Sequence, residues 1–596
     1  MTRHIPGWRL ALPAALGITL LSIIPQTRVW IERGRNWQGS YAAIQGDEWA
    51  YSAYVNALRD GRARRNDPFG GSDNSHLPES IFSVQFIPAY AIALPARLLG
   101  LSTSTAFIAS IVVTAFLSCM AVFWLIGSIT GDSRTAAAGA LFVLCFGAFI
   151  IGQGVAGPLM GFDLHSGYLP FLRRYEPAVP FPVIFVFYGL TWRAFVEDRW
   201  KPYAIFSGIC LVVLIFSYFY LWTTALAWFA CFVLLWFAFH RNRSRVLVVC
   251  AAIGAVLLIP LLIYVLLIRG LGSDVESTQF MVFTTEAELF RPTEVIGGLV
   301  LLLLAVAWRK RLIAVKDAAV LFVVSCALTP FVVFNQQLFT GRSLQPFHYE
   351  VFAVNYLLLV GIVVLFHVLT RARKRYATML AILAAVSLAW GAVEMVALER
   401  AVNRDPLIDE AARLGRYLET ENRQGLVLVT ESRTANVLPT FAPQPILWAQ
   451  HHPVYYTPRN EYLERFYQYL YFTGYDGRKL RVALLQPERS DGNYIVFRTT
   501  LFGHARQFPH LGGSGAPIQE EDVQREVDRY SAYIAGFGAA DANRFPLAYV
   551  ITPAENNIDF SNLDKWYERD NGEHIGAFIL YRVKPPRASL TSTDRQ

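Results

Sequence analysis

The run Ser104–Ser128, STAFIASIVVTAFLSCMAVFWLIGS, contains no Asp, Glu, Lys or Arg. A helix of this length is long enough to cross the hydrocarbon core of a bilayer, which takes about 20 residues. Similar apolar runs recur through the first two thirds of the chain, which is 54% hydrophobic and only 16% charged. Soluble domains average roughly 25% charged residues. The sequence therefore predicts a polytopic α-helical membrane protein.

The basic residues between the apolar runs predict the orientation of these spans. Clusters such as 241–245, 309–311 and 371–375 belong in the cytoplasm by the positive-inside rule. This rule gives a consistent topology with about eleven spans, a cytoplasmic N-terminus and an outer C-terminal region. The predicted spans are 8–26, 104–128, 135–152, 178–196, 203–218, 221–239, 246–268, 294–308, 317–334, 351–370 and 376–397.

The segment Phe82–Leu99 is apolar enough to be mistaken for a further span. Counting it as a span would move the three basic clusters to the outer side, against the positive-inside rule. Pro88 and Pro95 also interrupt its helical pattern. We therefore predict a helix that lies along the periplasmic interface.

Two domains are predicted. Residues 1–400 form the transmembrane domain, with outer loops 27–103, 153–177, 269–293 and 335–350. Residues 401–596 form an extracytoplasmic, periplasmic α/β domain, because short apolar strands alternate there with amphipathic helices. The long polar loops all fall on the outer side of an inner (cytoplasmic) membrane, which indicates that the protein works there.

The first outer loop carries the stretch Gly46-Asp47-Glu48-Trp49-Ala50-Tyr51-Ser52-Ala53-Tyr54. Asp47 and Glu48 are adjacent carboxylates, and Tyr51 and Tyr54 follow at helical spacing. Such a carboxylate can accept a proton from a hydroxyl group or bind a divalent cation. The alternative is that Asp47 only caps the N-terminus of a helix.

The second outer loop offers two further patterns. Arg173 and Arg174 precede a predicted helix that starts at Pro177, and guanidinium groups beside a helix N-terminus can bind a phosphate. The alternative is a pair of arginines that extend to the membrane interface. Asp163 and His165 could place an oxygen and a nitrogen on one metal, although a solvated loop is equally compatible.

The loop between the ninth and tenth spans is dense in hydrogen-bonding groups. It carries Asn335, Gln336, Arg342, Gln345 and His348. Backbone at membrane depth must line a cavity or be buried in protein. These side chains would suit a sugar or pyrophosphate head group, and the alternative is an interhelical turn with satisfied hydrogen bonds.

These features together resemble the GT-C superfamily of integral-membrane, polyprenyl-phosphate-dependent glycosyltransferases. That group includes protein mannosyltransferases, aminoarabinose transferases of lipid A and oligosaccharyltransferases. The resemblance covers most of residues 1–400 and rests on Asp47-Glu48, the interfacial helix, the short spans and the second acidic loop at Asp163. Asp163-Leu164-His165 is similar to the metal-binding motif of some oligosaccharyltransferases. The chain departs from those enzymes because its C-terminal region lacks their Trp-Trp-Asp-Tyr-Gly motif.

The resemblance implies an inverting transfer of a hexosyl or pentosyl group from a polyprenyl-phosphate-linked donor to a lipid, glycan or protein acceptor. The first-loop acid would be the base, and loop arginines would bind the lipid phosphate. The predicted residues are Asp47 and Glu48 for catalysis; Arg173, Arg174 and Arg342 for the donor phosphate; Tyr51, Tyr54, Asn335, Gln336, Gln345 and His348 for substrate; and Asp163 and His165 for a metal.

Several alternatives stay open at this stage. No cofactor is certain, and a divalent cation, Mg²⁺ or Mn²⁺, is the one candidate. A lipid-linked glycan polymerase or ligase, a flippase and a non-catalytic membrane assembly subunit are the other functions to weigh. No nucleic-acid partner is expected, because the net charge of +8 follows the short loops between spans.

Overall fold

The computed structural model describes residues 7–43, 46–73, 78–159, 170–240, 243–271, 281–401, 406–421, 423–452, 457–489, 492–507 and 516–584. Within these ranges, seven helical segments are long and apolar enough to cross a membrane. They are Ala11–Asn36, Thr103–Thr130, Phe219–Phe239, Arg243–Arg269, Pro292–Arg309, Pro346–Thr370 and Tyr376–Leu398. The protein is therefore a multi-pass α-helical membrane protein, as the sequence predicts.

Every predicted span corresponds to an apolar helix. Four of these helices are shorter, at 14 to 16 residues: Ser133–Phe146, Phe181–Val196, Trp200–Ile215 and Ala318–Val333. A helix of that length is shorter than the bilayer core, so that it would need bilayer thinning or flanking polar groups to cross. The count of eleven crossings therefore stays a prediction.

The tight turns between helices follow from local sequence. Gly131 ends the helix Thr103–Thr130 with a φ of 70°, in the left-handed region that glycine adopts without strain. Asp132 then accepts hydrogen bonds from the backbone N–H groups of Arg134 and Thr135, at 3.1 and 3.3 Å. This Gly-Asp pair stops one helix and caps the next, Ser133–Phe146.

Two helices of the first outer loop frame the site. The first-loop helix is Asp47–Arg59. The interfacial helix is Ile87–Leu98, preceded by the single turn Ile81–Val84, so that it is shorter than the predicted 82–99. Leu94 and Leu98 are 52% and 84% exposed on the interfacial helix, as expected for a helix that faces lipid.

The C-terminal region is an α/β unit around one five-stranded sheet. Strand β3 (Leu426–Val429) runs parallel to β4 (Leu547–Pro553), and β7 (Phe578–Lys584) runs antiparallel to β4. The short strands β5 (Glu568–Arg569) and β6 (Glu573–Ile575) both pair with β7. The helices are Leu407–Thr420, Ser432–Val437, Arg459–Phe472, Gly477–Leu485, Asn493–Phe502, His504–Gln507, Glu520–Gly536 and Ala539–Arg544.

The first outer loop and the C-terminal region share one hydrophobic core. Buried side chains of the first-loop helix pack in the same cluster as those of β3 and β4. Ser52 and Thr440 also share a hydrogen bond of 2.6 Å between their hydroxyl groups, and the backbone N–H of Ile446 donates to the carbonyl of Phe69 at 2.7 Å. The C-terminal region is thus held directly over the first-loop helix.

Candidate active site

A cavity of roughly 1070 Å³ lies where the apolar helices meet the C-terminal region. Its walls come from the first-loop helix, the segment that precedes the helix Phe181–Val196, the loop before Asn355 and the C-terminal region. This volume is at the upper end of the range of small-molecule sites, which hold about 300–1,000 Å³. The cavity is therefore large enough for a small-molecule ligand.

Asp47 and Tyr51 line this cavity and share one hydrogen-bond partner. They lie four residues apart in the first turns of the first-loop helix and therefore on one face. Arg173 donates from Nη2 to Asp47 Oδ2 at 2.7 Å and to the Tyr51 hydroxyl at 3.0 Å. Its Nε and Nη1 atoms are buried and have no acceptor at hydrogen-bond distance within the described residues, although the Tyr218 hydroxyl interacts with the same guanidinium. Arg173 therefore retains two nitrogens that can donate to a further acceptor.

Glu48 and Arg174 form a second ion pair that points away from the cavity. Successive helical residues are about 100° apart, so Glu48 faces the core when Asp47 faces the cavity. Arg174 Nη1 donates to Glu48 Oε2 at 2.9 Å and to the carbonyl of Ala42 at 2.7 Å. The two side chains are 1% and 0% exposed. Neither residue lines the cavity.

The backbone at Tyr175 helps to separate the two arginines. Tyr175 has a φ of 74°, in the left-handed region that bulky residues seldom adopt. Its ring is fully buried and stacks on Tyr51, with ring centroids 4.7 Å apart. This stacking holds the segment in place, so that Arg173 faces the cavity and Arg174 faces the core.

The surroundings of two carboxyl groups in the cavity shift their pKa values in opposite directions. Asp47 is 62% exposed to the cavity, yet the surrounding protein excludes bulk water and acts to raise its pKa. The Arg173 guanidinium and His451 outweigh that effect, so the pKa of Asp47 lies below its usual range. Burial raises the pKa of Glu176 well above its usual range, and the nearby Asp47 charge adds to the rise against the opposing effect of Arg173. These effects favour the ionised form of Asp47 and disfavour the ionised form of Glu176.

The loop between the ninth and tenth predicted spans adds polar groups to the same wall. The Tyr218 hydroxyl and His348 Nδ1 are 2.8 Å apart, and the Tyr220 ring lies 4.7 Å from the imidazole. Gln336 and Gln345 also line the cavity. Gln336 Nε2 donates to the Tyr349 hydroxyl at 3.1 Å, which fixes the amide in place.

Arg342 reaches the cavity because of a short β ribbon. Strands β1 (Met281–Phe283) and β2 (Arg342–Leu344) pair antiparallel, with Phe283 opposite Arg342. The Arg342 guanidinium lies 5.4 Å from the centre of the Phe283 ring. No carboxylate pairs with Arg342 among the described residues, so its charge is available to an anion in the cavity.

One end of the cavity is apolar. Phe219 and Trp222 come from the helix Phe219–Phe239, and Tyr264 and Ile268 come from the helix Arg243–Arg269. Leu271 continues the same wall. These membrane helices give the cavity an aromatic and aliphatic end next to its charged end, which suits a ligand with a polar head and a hydrocarbon tail.

The C-terminal region supplies the opposite wall. Arg433, Asn436, His451 and Arg459 line it. Arg459 Nη2 donates to the carbonyl of Leu501 at 2.7 Å, which holds the guanidinium in position. Four arginines in all face the cavity, and the described residues contribute only two carboxyl groups to its lining. The cavity therefore favours anionic ligands.

The structure brings seven of the predicted residues onto this cavity: Asp47, Tyr51, Arg173, Gln336, Arg342, Gln345 and His348. Four others lie elsewhere. Glu48 and Arg174 form the buried pair, Tyr54 donates its hydroxyl to the carbonyl of Arg64 at 2.7 Å, and Asn335 donates to Glu294 Oε1 at 3.1 Å. Asp163 and His165, the predicted metal ligands, lie outside the described residues.

The described residues offer no ready metal site. No group of three or more His, Cys, Asp or Glu is close enough to hold an ion within them. Asp47 already holds a guanidinium, and Glu176 is buried.

Sequence reasoning missed several cavity residues. Glu176 follows the pair of arginines closely in the sequence, but only the fold brings it near Asp47. Tyr218 and Tyr220 fit an aromatic belt at the membrane interface by sequence alone, yet both line the cavity and are 4% exposed. No motif in the sequence marks Arg433 or Arg459.

No protein-family model matches the chain, and no characterised protein matches it in sequence. Among solved structures, it is similar to the archaeal oligosaccharyltransferase AglB from Archaeoglobus fulgidus in complex with an inhibitory peptide and a dolichol-phosphate. The identity is 12%, the TM-score is 0.45, and the match covers 91% of this chain and 69% of that one. ArnT from Cupriavidus metallidurans bound to undecaprenyl phosphate is also similar, at 11% identity and a TM-score of 0.44, covering 96% and 97% of the two chains.

Proposed function

We propose that this protein is a membrane glycosyltransferase that takes a sugar from a polyprenyl-phosphate-linked donor. The observation that carries the proposal is the Asp47–Arg173 pair at the junction of a charged and an apolar cavity end. An ionised carboxylate, a guanidinium with two donors to spare and an apolar wall are the groups that such a transfer needs. The resemblance in sequence leads to the same reaction.

The donor phosphate is assigned to Arg173 and Arg342. The two Arg173 nitrogens without a partner lie on the cavity wall, where phosphate oxygens could accept from them. A phosphate bound there would compete with Asp47 for the guanidinium. Binding of the donor would thus weaken the pair and release the carboxylate for the acceptor.

The lipid tail of the donor is assigned to the apolar end of the cavity. Trp222, Tyr264 and Ile268 lie on helices long and apolar enough to cross the membrane. A prenyl chain there could pass from the cavity into the bilayer without contact with water.

The transfer step follows from these positions. The acceptor hydroxyl oxygen attacks the anomeric carbon of the sugar, a new C–O bond forms, and the bond from that carbon to the phosphate oxygen breaks. Asp47 takes the hydroxyl proton, and the polyprenyl phosphate leaves with its negative charge facing Arg173 and Arg342. Attack from the side opposite the phosphate inverts the anomeric centre. Asp47 returns its proton to solvent as the products leave.

The acceptor is assigned to the C-terminal wall. Arg433, Asn436, His451 and Arg459 face the cavity from that side. Arg173 and Arg342 suffice for one donor phosphate, so the additional arginines suit an acceptor that also carries negative charge, such as a lipid or glycan with phosphate or carboxylate groups. We place this face, with the C-terminal domain, on the outer side of an inner membrane.

The test is turnover of a lipid-linked donor. Purified protein in lipid nanodiscs would be incubated with a panel of polyprenyl phosphates that each carry one radiolabelled hexose or pentose. Extracted envelope lipids and glycans would be supplied as acceptors. We expect at least one donor to lose its label to an acceptor and to yield free polyprenyl phosphate. Failure of every donor in a panel that covers the common hexoses and pentoses would contradict the proposal.

A further inference from the structure

A second cavity, of about 440 Å³, lies apart from the candidate active site. It is bounded by the end of the first-loop helix, the end of the interfacial helix, the N-terminus of the helix Thr103–Thr130 and the helix Leu407–Thr420. The reaction proposed above assigns no role to it.

Three of the four charged residues that line this second cavity are arginines. Arg59, Arg97 and Arg416 face it, and Glu419 is the one carboxylate among its described lining residues. Arg59 pairs with Asp60 at 2.8 Å and lies 3.7 Å from Glu419. Arg97 has no carboxylate partner within the described residues. The cavity therefore keeps a surplus of positive charge.

A helix N-terminus points its amide groups toward the same place. Ser102 caps the helix Thr103–Thr130 by accepting from the backbone N–H of Thr105. The backbone N–H groups of Thr103 and Ser104 make no hydrogen bond within the described residues. The Ser104 hydroxyl is also buried and unpartnered there, and Ser104 is 2% exposed. Unsatisfied amides at a helix N-terminus favour an anion.

The cavity opens beside a surface that faces lipid. Leu98 and Leu99 are 84% and 71% exposed, and they directly follow Arg97 and precede the lining residues Gly100 and Leu101. Such a set of exposed leucines beside an arginine is typical of a helix at the level of lipid headgroups. A phosphate held in this cavity would therefore be one that is already attached to the membrane.

We propose that this second cavity binds the phosphate of an anionic phospholipid, with Arg97, Arg59 and Arg416 around the headgroup and the amides of Thr103 and Ser104 on its oxygens. The bound lipid would connect the interfacial helix to the helix Leu407–Thr420. It would thereby tie the C-terminal region to the membrane surface near the candidate active site.

The test uses the full chain in nanodiscs of phosphatidylcholine with a minor fraction of phosphatidylglycerol. Native mass spectrometry would count the phosphatidylglycerol molecules retained after release from the nanodisc. Arg97→Gln should lower the retention constant by roughly fivefold, the effect of one basic residue near an anionic surface. Arg97→Lys, which keeps the charge, should retain the lipid. Arg28→Gln is the control, because Arg28 is half exposed, bonds Glu32 and lies outside the cavity.

A second arm separates the lipid from a free anion. Inorganic phosphate would be titrated into the protein in uncharged detergent. Weak or absent binding together with selective retention of phosphatidylglycerol supports the proposal. Equal retention of phosphatidylcholine, an unchanged Arg97→Gln variant, or phosphate binding as tight as that of the lipid would overturn it.

Discussion

Arg173 holds Asp47 at 2.7 Å, and the same guanidinium keeps two buried nitrogens without a partner among the described residues. Arg174 also has one such nitrogen, but it faces the core, whereas Arg173 lines the cavity. An oxyanion bound in the cavity could therefore complete the hydrogen bonds of Arg173. In the proposed function, the pair links donor binding to the state of the carboxylate.

Arg173→Gln should weaken the binding of polyprenyl phosphate by about 10- to 100-fold, because a hydrogen bond to a charged group contributes about 1.5–3 kcal/mol. The affinity would be measured by isothermal titration in detergent. Arg62→Gln serves as the control, since Arg62 pairs with Asp73 on the same outer loop and does not line the cavity. If the two variants and the wild type bound polyprenyl phosphate with equal affinity, the assignment of the phosphate to Arg173 would be wrong.

Glu48→Gln should destabilise the protein by about 3–5 kcal/mol, because it leaves the buried Arg174 charge without its counter-ion. The free energy of unfolding would be measured in detergent micelles. Glu32→Gln breaks the surface pair with Arg28 and should cost no more than about 1 kcal/mol.

The double variant Glu48→Met with Arg174→Met should recover much of that loss, because it removes both buried charges together. A Glu48→Gln variant that is as stable as the wild type but inactive would instead make Glu48 a catalytic residue, as the sequence suggests.

Glu176 predicts a specific dependence of stability on pH. Its folded-state pKa is raised, so its stabilising contribution is complete below the pKa of the unfolded chain and is lost as the pH rises through the folded value. Asp47 behaves in the opposite way, and its contribution is lost only as the pH falls through its lowered pKa. Melting temperatures should show a decline as the pH rises above the ordinary glutamate pKa of about 4.3, and Glu176→Gln should remove that decline. Parallel curves for the two proteins would contradict the assignment.

Trp222→Ala should weaken the binding of long-chain polyprenyl phosphates far more than the binding of a one-isoprene phosphate. Burial of a large apolar side chain against a ligand contributes about 1.5–3 kcal/mol, and the short ligand does not reach the apolar end. Competition binding with both ligands would measure the difference. Trp308→Ala is a matched control, because Trp308 is 59% exposed and lies outside the cavity. An equal loss of affinity for both chain lengths would contradict the assignment of the lipid tail to the apolar end of the cavity.

The apolar helices could be predicted from the sequence, because apolar length depends on local composition. The prolines at 88 and 95 do not interrupt the helix Ile87–Leu98: Pro88 lies in its first turn and Pro95 lies within it. Its place at the membrane interface and the number of crossings stay predictions. Helix ends shifted by a few residues, as in Ala11–Arg33 against the predicted 8–26.

The site was harder to predict because adjacent residues took different roles. Asp47 and Glu48 look alike in sequence, as do Arg173 and Arg174, and only the helical phase and the φ of Tyr175 separate cavity from core. Glu176, Arg433 and Arg459 reach the cavity through contacts between segments far apart in the chain. No local pattern records those contacts.

The most direct test of the account is sugar transfer by Asp47→Asn. The wild type, Asp47→Asn and Asp73→Asn would be compared with the donor that the panel identifies, after thermal melting has confirmed that all three are folded. Asp73 pairs with Arg62 on the same outer loop, away from the cavity, so its variant controls for the loss of a carboxylate. Loss of the base should slow transfer by about 10²- to 10⁴-fold in Asp47→Asn alone. Transfer at the wild-type rate by a folded Asp47→Asn protein would contradict the central claim.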